Sequence, residues 1–296
     1  MARMPDFIII GAMKCATSTL HEQLAQQPGI FMSEPKEPNF FSDDPHYARG
    51  LGWYAGLFAD APAEALCGES STHYTKLPTY PHTVERMRQH VPEARLVYVM
   101  RHPMDRLVSH YIHEWTQRVI NVPIDEAVDA HAELIAYSRY AMQLEPFLRA
   151  FGPERILPVF SGRLRSAPQD ELQRVCRFIG YTGEARWIED QAPANVSSER
   201  LRRSALRETL RDLPGLRRIY RAVLPEPVRE RINSFWQMKE RPELSSAQRE
   251  RLTAIFDEDL AQLGAWLGID DLCCANFKAR TEQEARDWAH PTRLAS

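Results

Sequence analysis

This 296-residue sequence predicts an α/β fold: a P-loop-like parallel β-sheet flanked by helices on both faces, with a helical C-terminal region. Three observations carry that reading. Short apolar, β-branched runs alternate with stretches of helical periodicity, the pattern of strands joined by crossover helices. The runs are apolar throughout, as strands buried between two helical layers must be. Two of them, at residues 7–10 and 96–100, break into a loop with a cationic side chain just before a helix. Ligands of such sheets bind at the carboxyl ends of strands, where both breaks fall.

Strands are expected over residues 7–11, 65–69, 95–100 and 156–160, and helices over 17–27, 81–90, 105–117, 139–151 and 168–179. From Ser197 the composition turns arginine-rich and helical. Pro214, Pro225, Pro227 and Pro242 divide it into short helices before a long amphipathic helix over 245–267. The chain reads as one domain, 1–296: a core over 5–196, a helical region over 197–270 that is also a candidate for self-association, and a tail over 271–296. That tail is polar and is expected to be poorly ordered unless it docks on a partner.

In PDFIIIGAMKCATSTLHEQL, the strand ends at Gly11 and gives way to Lys14, the backbone of Cys15 and Ala16, and the hydroxyls of Thr17, Ser18 and Thr19. Loop amides, the positive end of a helix dipole and one ammonium converge there on an anion. The order is not that of a nucleotide-triphosphatase loop. Lys14 precedes Thr17 by three residues, and Ala16 stands where the second glycine would be. RLVYVMRHPMDRLVSHY repeats the grammar with Arg101 at a strand end, then Arg106 and Ser109 on the following helix. Two anion grips on two strands predict one ligand with phosphates at both ends.

These segments resemble the sulfotransferases that use 3′-phosphoadenosine 5′-phosphosulfate (PAPS), in the branch of the heparan sulfate sulfotransferase domains and their soluble bacterial-type relatives. The blocks run in order: GAMKCATSTL, EPKEPNFFS, GLGWYAGLF, GESSTHYT and RLVYVMRHPMDRLVSHY, then more weakly through RILPVFSGRLRSAPQDELQRVCRFIGY and KERPELSSAQRERLTAIFDEDLAQLGAWLG. The resemblance implies that Lys14 contacts the bridging oxygen of the phosphosulfate and that Thr17, Ser18 and Thr19 bind the 5′-phosphate. Arg101 and Ser109 match the 3′-phosphate ligands, and Glu37 matches the general base. His73 is the rival base, and His110 is a third candidate. The family pattern fails at Ala16, where a glycine is usual. It fails again late in the chain, where the basic loop completing the 3′-phosphate site has no clear match; Arg200, Arg202 and Arg203 are the basic residues nearby.

Several residues have plainer roles to weigh. Arg106 is expected to pair with Asp105 or Glu69 and pin the loop. Phe40, Phe41, Trp53 and Tyr54 line a pocket or belong to the core. Glu37 next to Lys36 forms an ion pair with or without a catalytic role. Cys15 is read as a small residue that the loop requires rather than as a nucleophile.

A net charge of −3 argues against a nucleic-acid partner. No run is long enough for a membrane span, and the five cysteines lack C-x-x-C spacing, so neither zinc nor a disulfide framework is expected. The expected protein is therefore a cytoplasmic sulfotransferase without a metal, acting on a small-molecule or glycan acceptor through a hydroxyl in preference to an amine. Two alternatives are a P-loop small-molecule kinase, which would need Mg²⁺, and a non-catalytic nucleotide-binding scaffold.

Overall fold

The computed structural model describes residues 3–189 and 241–289. Its sheet has five parallel strands in the order β2-β3-β1-β4-β5. These are β1 (Phe7–Gly11), β2 (Ile30–Met32), β3 (Leu66–Ser70), β4 (Arg95–Met100) and β5 (Ile156–Phe160). Every residue of β1 and β5 is buried, as strands covered on both faces require. Gly68 is needed in β3 because a Cβ there would fall 2.1 Å from the Phe7 ring, which crosses from β1.

The helices cover that sheet and set the loops at its edge. They are α1 (Thr17–Ala25), α2 (Asp44–Tyr47), α3 (Leu51–Gly56), α4 (Thr83–His90), α5 (Pro103–Thr116), α6 (Ile124–Ala130), α7 (Ala132–Ala136), α8 (Tyr140–Phe151), α9 (Arg163–Ser166), α10 (Pro168–Ile179), α11 (Ser246–Leu267) and α12 (Phe277–Glu282). β1 and two of the other three expected strands fall on the expected residues, and the third is shifted by one to Leu66–Ser70. The helix expected over 17–27 stops at Ala25, and that expected over 105–117 starts earlier, at Pro103. β2 was not expected, since three residues are too few to show a period.

The long helix α11 forms as expected. Ser245 accepts the Gln248 amide at 3.3 Å, and Gly268 ends the helix in the left-handed conformation. Its buried Asp259 accepts the Ala141 and Met142 amides at 2.9 and 3.0 Å, capping α8 from a distant part of the chain. The tail departs from expectation through residue 289, because it docks. Phe277 is buried edge-on against Phe160 at 5.8 Å. The Trp288 indole N–H donates to the Ile156 carbonyl at 2.6 Å, and the Ala289 amide to that of Trp266 at 2.7 Å. Two aromatic anchors thus overcome a polar composition.

The arginine-rich stretch with Arg200, Arg202, Arg203, Pro214, Pro225 and Pro227 lies outside the described residues. Among the described residues, no helix is long and apolar enough to cross a membrane, and no group of three or more His, Cys, Asp or Glu side chains is placed to hold a metal ion.

Candidate active site

β1 delivers the chain into a tight loop. At Gly11, φ is 151° and an added Cβ would fall 2.0 Å from the Thr75 hydroxyl, which itself donates to the Ile10 carbonyl at 2.9 Å. The Ala12 amide donates to the Val99 carbonyl of β4 at 2.8 Å, so the loop is anchored to the neighbouring strand. Lys14 (φ 69°) and Ala16 (φ 70°) are both left-handed and flank Cys15. Ala16 occupies the N-cap of α1 and has no side-chain acceptor to offer. The first amides of a helix lack carbonyl partners, so this N-terminus suits an external anion at the positive end of the dipole. The Cβ of Ala16 fits where a glycine is usual, at the roughly 1–2 kcal/mol that a left-handed L-residue costs.

Cys15 is fully buried, with its sulfur 3.7 Å from the Tyr140 hydroxyl. Burial pushes its thiol up, against the opposing effect of Arg106, so Cys15 packs beneath the loop and is not an activated nucleophile. Thr17 is buried, while Lys14, Ser18 and Thr19 are half-buried.

The second grip follows β4. Arg101 and Ser109 are half-buried, one before α5 and one on it. The Tyr140 hydroxyl donates to the Arg101 carbonyl at 2.6 Å and accepts its amide at 3.1 Å. One tyrosine therefore touches both loops, a contact that no local pattern announces.

Arg106 differs from expectation. Asp105 instead takes Lys278 at 2.9 Å and Arg241 at 3.2 Å. Glu69 is fully buried and accepts the hydroxyls of Tyr54, Tyr74 and Ser71, each at 2.7 Å. Arg106 is fully buried and donates to Ser138 Oγ at 2.6 Å, the Leu134 carbonyl at 3.2 Å and His110 Nδ1 at 3.1 Å. His110 also faces Glu114 at 3.4 Å, and burial drags it down to about 3. It is thus a packed imidazole with both ring nitrogens facing other side chains, which leaves it no access to an acceptor.

Burial raises the Glu69 carboxyl to about 6, against three donated hydroxyl bonds. The folded state therefore holds the Glu69 proton more tightly than the unfolded state does. That stabilisation, about 2 kcal/mol, is fully present below pH 4.5 and is lost as pH rises to 6. The stability of the wild type relative to Glu69→Gln, measured by urea denaturation, should fall across this window. A difference independent of pH would contradict the assignment.

Glu37 is left-handed at φ 61°, and its amide donates to the Ser70 carbonyl at the end of β3 at 2.9 Å. Its Oε2 accepts from Thr72 Oγ1 at 3.0 Å and its Oε1 from Lys36 Nζ at 2.7 Å, with the side chain 31% exposed. Burial pushes this carboxyl up, but the charge and hydrogen bond of Lys36, the Thr72 hydroxyl and the Lys76 charge outweigh it and leave it below the ordinary range. Lys76 is itself lowered to about 8 by burial. His73, one residue past Thr72, gives Nδ1 to Asp43 at 2.9 Å and stacks on Tyr80 with ring centroids 4.8 Å apart. Burial and Lys76 lower it, against Asp43.

Phe40, Phe41 and Tyr54 are fully buried core, with Phe40 stacked on Tyr54 at 4.6 Å. Trp53 is half-buried beneath the Arg49 guanidinium at 3.8 Å. Thr72, Lys76 and Tyr140 were missed by sequence reasoning. The first two lie in or beside the quoted GESSTHYT block, the one signal that could have found them.

The parallel sheet, with Lys14 after β1, Arg101 after β4 and Glu37 tied to the end of β3, has a P-loop-like architecture. The chain belongs to the sulfotransferase domain family, whose model matches residues 4–264. Mouse heparan sulfate glucosamine 3-O-sulfotransferase 3B1 is 31% identical over 188 residues, 60% of this chain and 46% of that one. The human bifunctional heparan sulfate N-deacetylase/N-sulfotransferase 2 is 24% identical over 201 residues, 61% of this chain and 22% of that one. The chain thus matches about half, or less, of the length of these curated relatives. The crystal structure of a sulfotransferase from Alicyclobacillus acidocaldarius shares the fold, with a TM-score of 0.63 at 24% identity over 90% of this chain and 97% of that one.

Proposed function

We propose that this protein transfers the sulfuryl group of PAPS to a hydroxyl, in preference to an amine, of a carbohydrate-containing or natural-product acceptor, releasing 3′-phosphoadenosine 5′-phosphate (PAP). One observation carries the reading: the Lys14 loop and Arg101 end adjacent strands β1 and β4, and the Glu37 backbone is bonded to Ser70 at the end of β3, on the other side of β1. The uncapped α1 N-terminus fits the 5′-phosphate, with Thr17, Ser18 and Thr19 as its ligands. Arg101 and Ser109 fit the 3′-phosphate.

PAPS, when bound, supplies the activated sulfuryl group. Sulfuryl transfer, like phosphoryl transfer, is loose and in-line, so the protein mainly positions groups and stabilises charge. Lys14 places an ammonium at the departing phosphate oxygen. Glu37, ionised at neutral pH, takes the proton of the acceptor hydroxyl. We favour it over His73 because the Thr72 hydroxyl and the Ser70 carbonyl fix it at the strand ends, whereas the His73 ring is committed to Asp43 and Tyr80. The names of the relatives include both 3-O- and N-sulfation of heparan sulfate, which makes a glycan the first acceptor to try. The cytoplasm suits the buried free thiols of Cys15, Cys67 and Cys176.

Incubation with PAPS labelled in the sulfuryl group against a panel of desulfated glycans and phenols should transfer label to a hydroxyl. Transfer of γ-labelled phosphate from Mg-ATP instead would overturn the reading in favour of a kinase. Arg101→Ala should weaken PAP by roughly tenfold to a hundredfold while hardly affecting adenosine 5′-phosphate, since one charge-assisted pair to the 3′-phosphate is lost. Equal losses by calorimetry would defeat that assignment.

A further inference from the structure

Arg106 presents an electrostatic anomaly. It is fully buried, and among the described residues its three bonded partners Ser138, Leu134 and His110 are uncharged and its Nη1 has no hydrogen-bond partner. No described carboxylate lies within ion-pair distance of it. Glu114 is reached only through His110, whose Nε2 lies 3.4 Å from the Glu114 carboxylate, and Lys76 adds a second positive charge from the 72–76 segment. A buried charge without a partner is expensive, and an apolar residue of similar volume would serve the core as well or better.

Its location accounts for the cost. Arg106 lies within electrostatic reach of Cys15 in the first loop and of Tyr140. The Tyr140 hydroxyl meets both the Cys15 sulfur and the backbone of Arg101. Arg106 stands on α5 five residues past Arg101 and bonds Ser138, two residues before the tyrosine whose hydroxyl joins the two loops, so its guanidinium is buried behind the two proposed grips, among buried neighbours where water screens little.

We infer that Arg106 is an interior counter-charge for the polyanion that the two grips hold, a positioning residue that favours the phosphates without touching them. The inference rests on the PAPS reading above. Coupling of this kind is reciprocal: the ligand offsets a charge that the fold leaves uncompensated, so part of the stability appears only when it is bound.

The test compares wild type, Arg106→Met and Arg106→Lys by calorimetric titration with PAP and adenosine 5′-phosphate, and by thermal unfolding without ligand. Arg106→Met should bind PAP about tenfold more weakly, the effect of one charge across a low-dielectric floor. It should lose less with adenosine 5′-phosphate, and it should unfold at or above the wild-type temperature. Arg106→Lys should hold PAP more tightly than Arg106→Met at pH 6, where a buried ammonium keeps its proton, and lose that advantage by pH 9, where it is shed.

The inference is overturned if Arg106→Met binds PAP like wild type, if it unfolds earlier or fails to fold, or if it loses both nucleotides equally. It is also overturned if Arg106→Lys binds PAP no better than Arg106→Met at any pH from 6 to 9, because the donor fork rather than the charge would then be responsible. Wild type that ignores PAP would defeat the cofactor reading alone, and the ligand-free unfolding comparison would still decide whether the charge is uncompensated.

Discussion

Replacing Lys14 by alanine is expected to lower kcat by roughly a hundredfold to a thousandfold while weakening PAP by less than about tenfold. The asymmetry follows from where charge develops. On the proposed reading the amides of the α1 N-terminus and the hydroxyls of Thr17, Ser18 and Thr19 would hold the phosphate oxygens in the ground state, so one ammonium would add little there. As the bond to sulfur breaks, charge gathers on the bridging oxygen, and the proposed ammonium is the group aimed at it. Lys14 keeps a left-handed φ of 69°, and alanine retains its Cβ, so the loop should keep its path and the loss should fall on turnover. Single-turnover rates beside PAP affinities check this. Turnover that survives the substitution would remove Lys14 from the leaving-group side.

Glu37→Gln should cost roughly a hundredfold to ten-thousandfold in kcat, the range of a positioned base, with PAP affinity unchanged. Glutamine keeps the shape and an acceptor for Thr72 or Lys36 but cannot take a proton. The pH profile gives an independent check. The base must be ionised, so activity is lost as pH falls through its folded pKa. Lys36 and Thr72 hold the Glu37 carboxyl below its usual 4.5 despite burial, which keeps the acid limb below that value. An acid limb above 4.5, toward the lowered range in which burial puts His73, together with normal turnover in Glu37→Gln, would transfer the role to His73.

The parts of this architecture legible in the sequence are those with a local grammar. The runs that became β1, β4 and β5 are five or six residues long and apolar but for Arg95 at the start of β4, and hydroxyls, Lys14 or Arg101 beside a helix start mark strand ends without knowledge of the rest of the fold. The resemblance then supplied roles that spacing alone could not. What stayed hidden depends on contacts between distant residues. Tyr140 is 39 residues from Arg101 and 125 from Cys15, yet its hydroxyl joins the two loops. Arg106 was read beside its sequence neighbour Asp105, but helix geometry turns the two side chains apart, so that Asp105 meets the docked tail at Lys278 while Arg106 points into the core. The tail misled for a related reason: its average composition is polar, and Phe277 and Trp288 alone hold partners that only the folded core provides.

The central claim is that the two grips hold PAP. It is tested most directly by isothermal titration of the purified protein with PAP in the absence of metal, beside ATP with Mg²⁺. Micromolar binding of PAP without metal, with ATP much weaker, is the result this account predicts. A preference for Mg-ATP would contradict it in favour of a kinase, and binding of neither would contradict it in favour of a scaffold that keeps the fold without the cofactor.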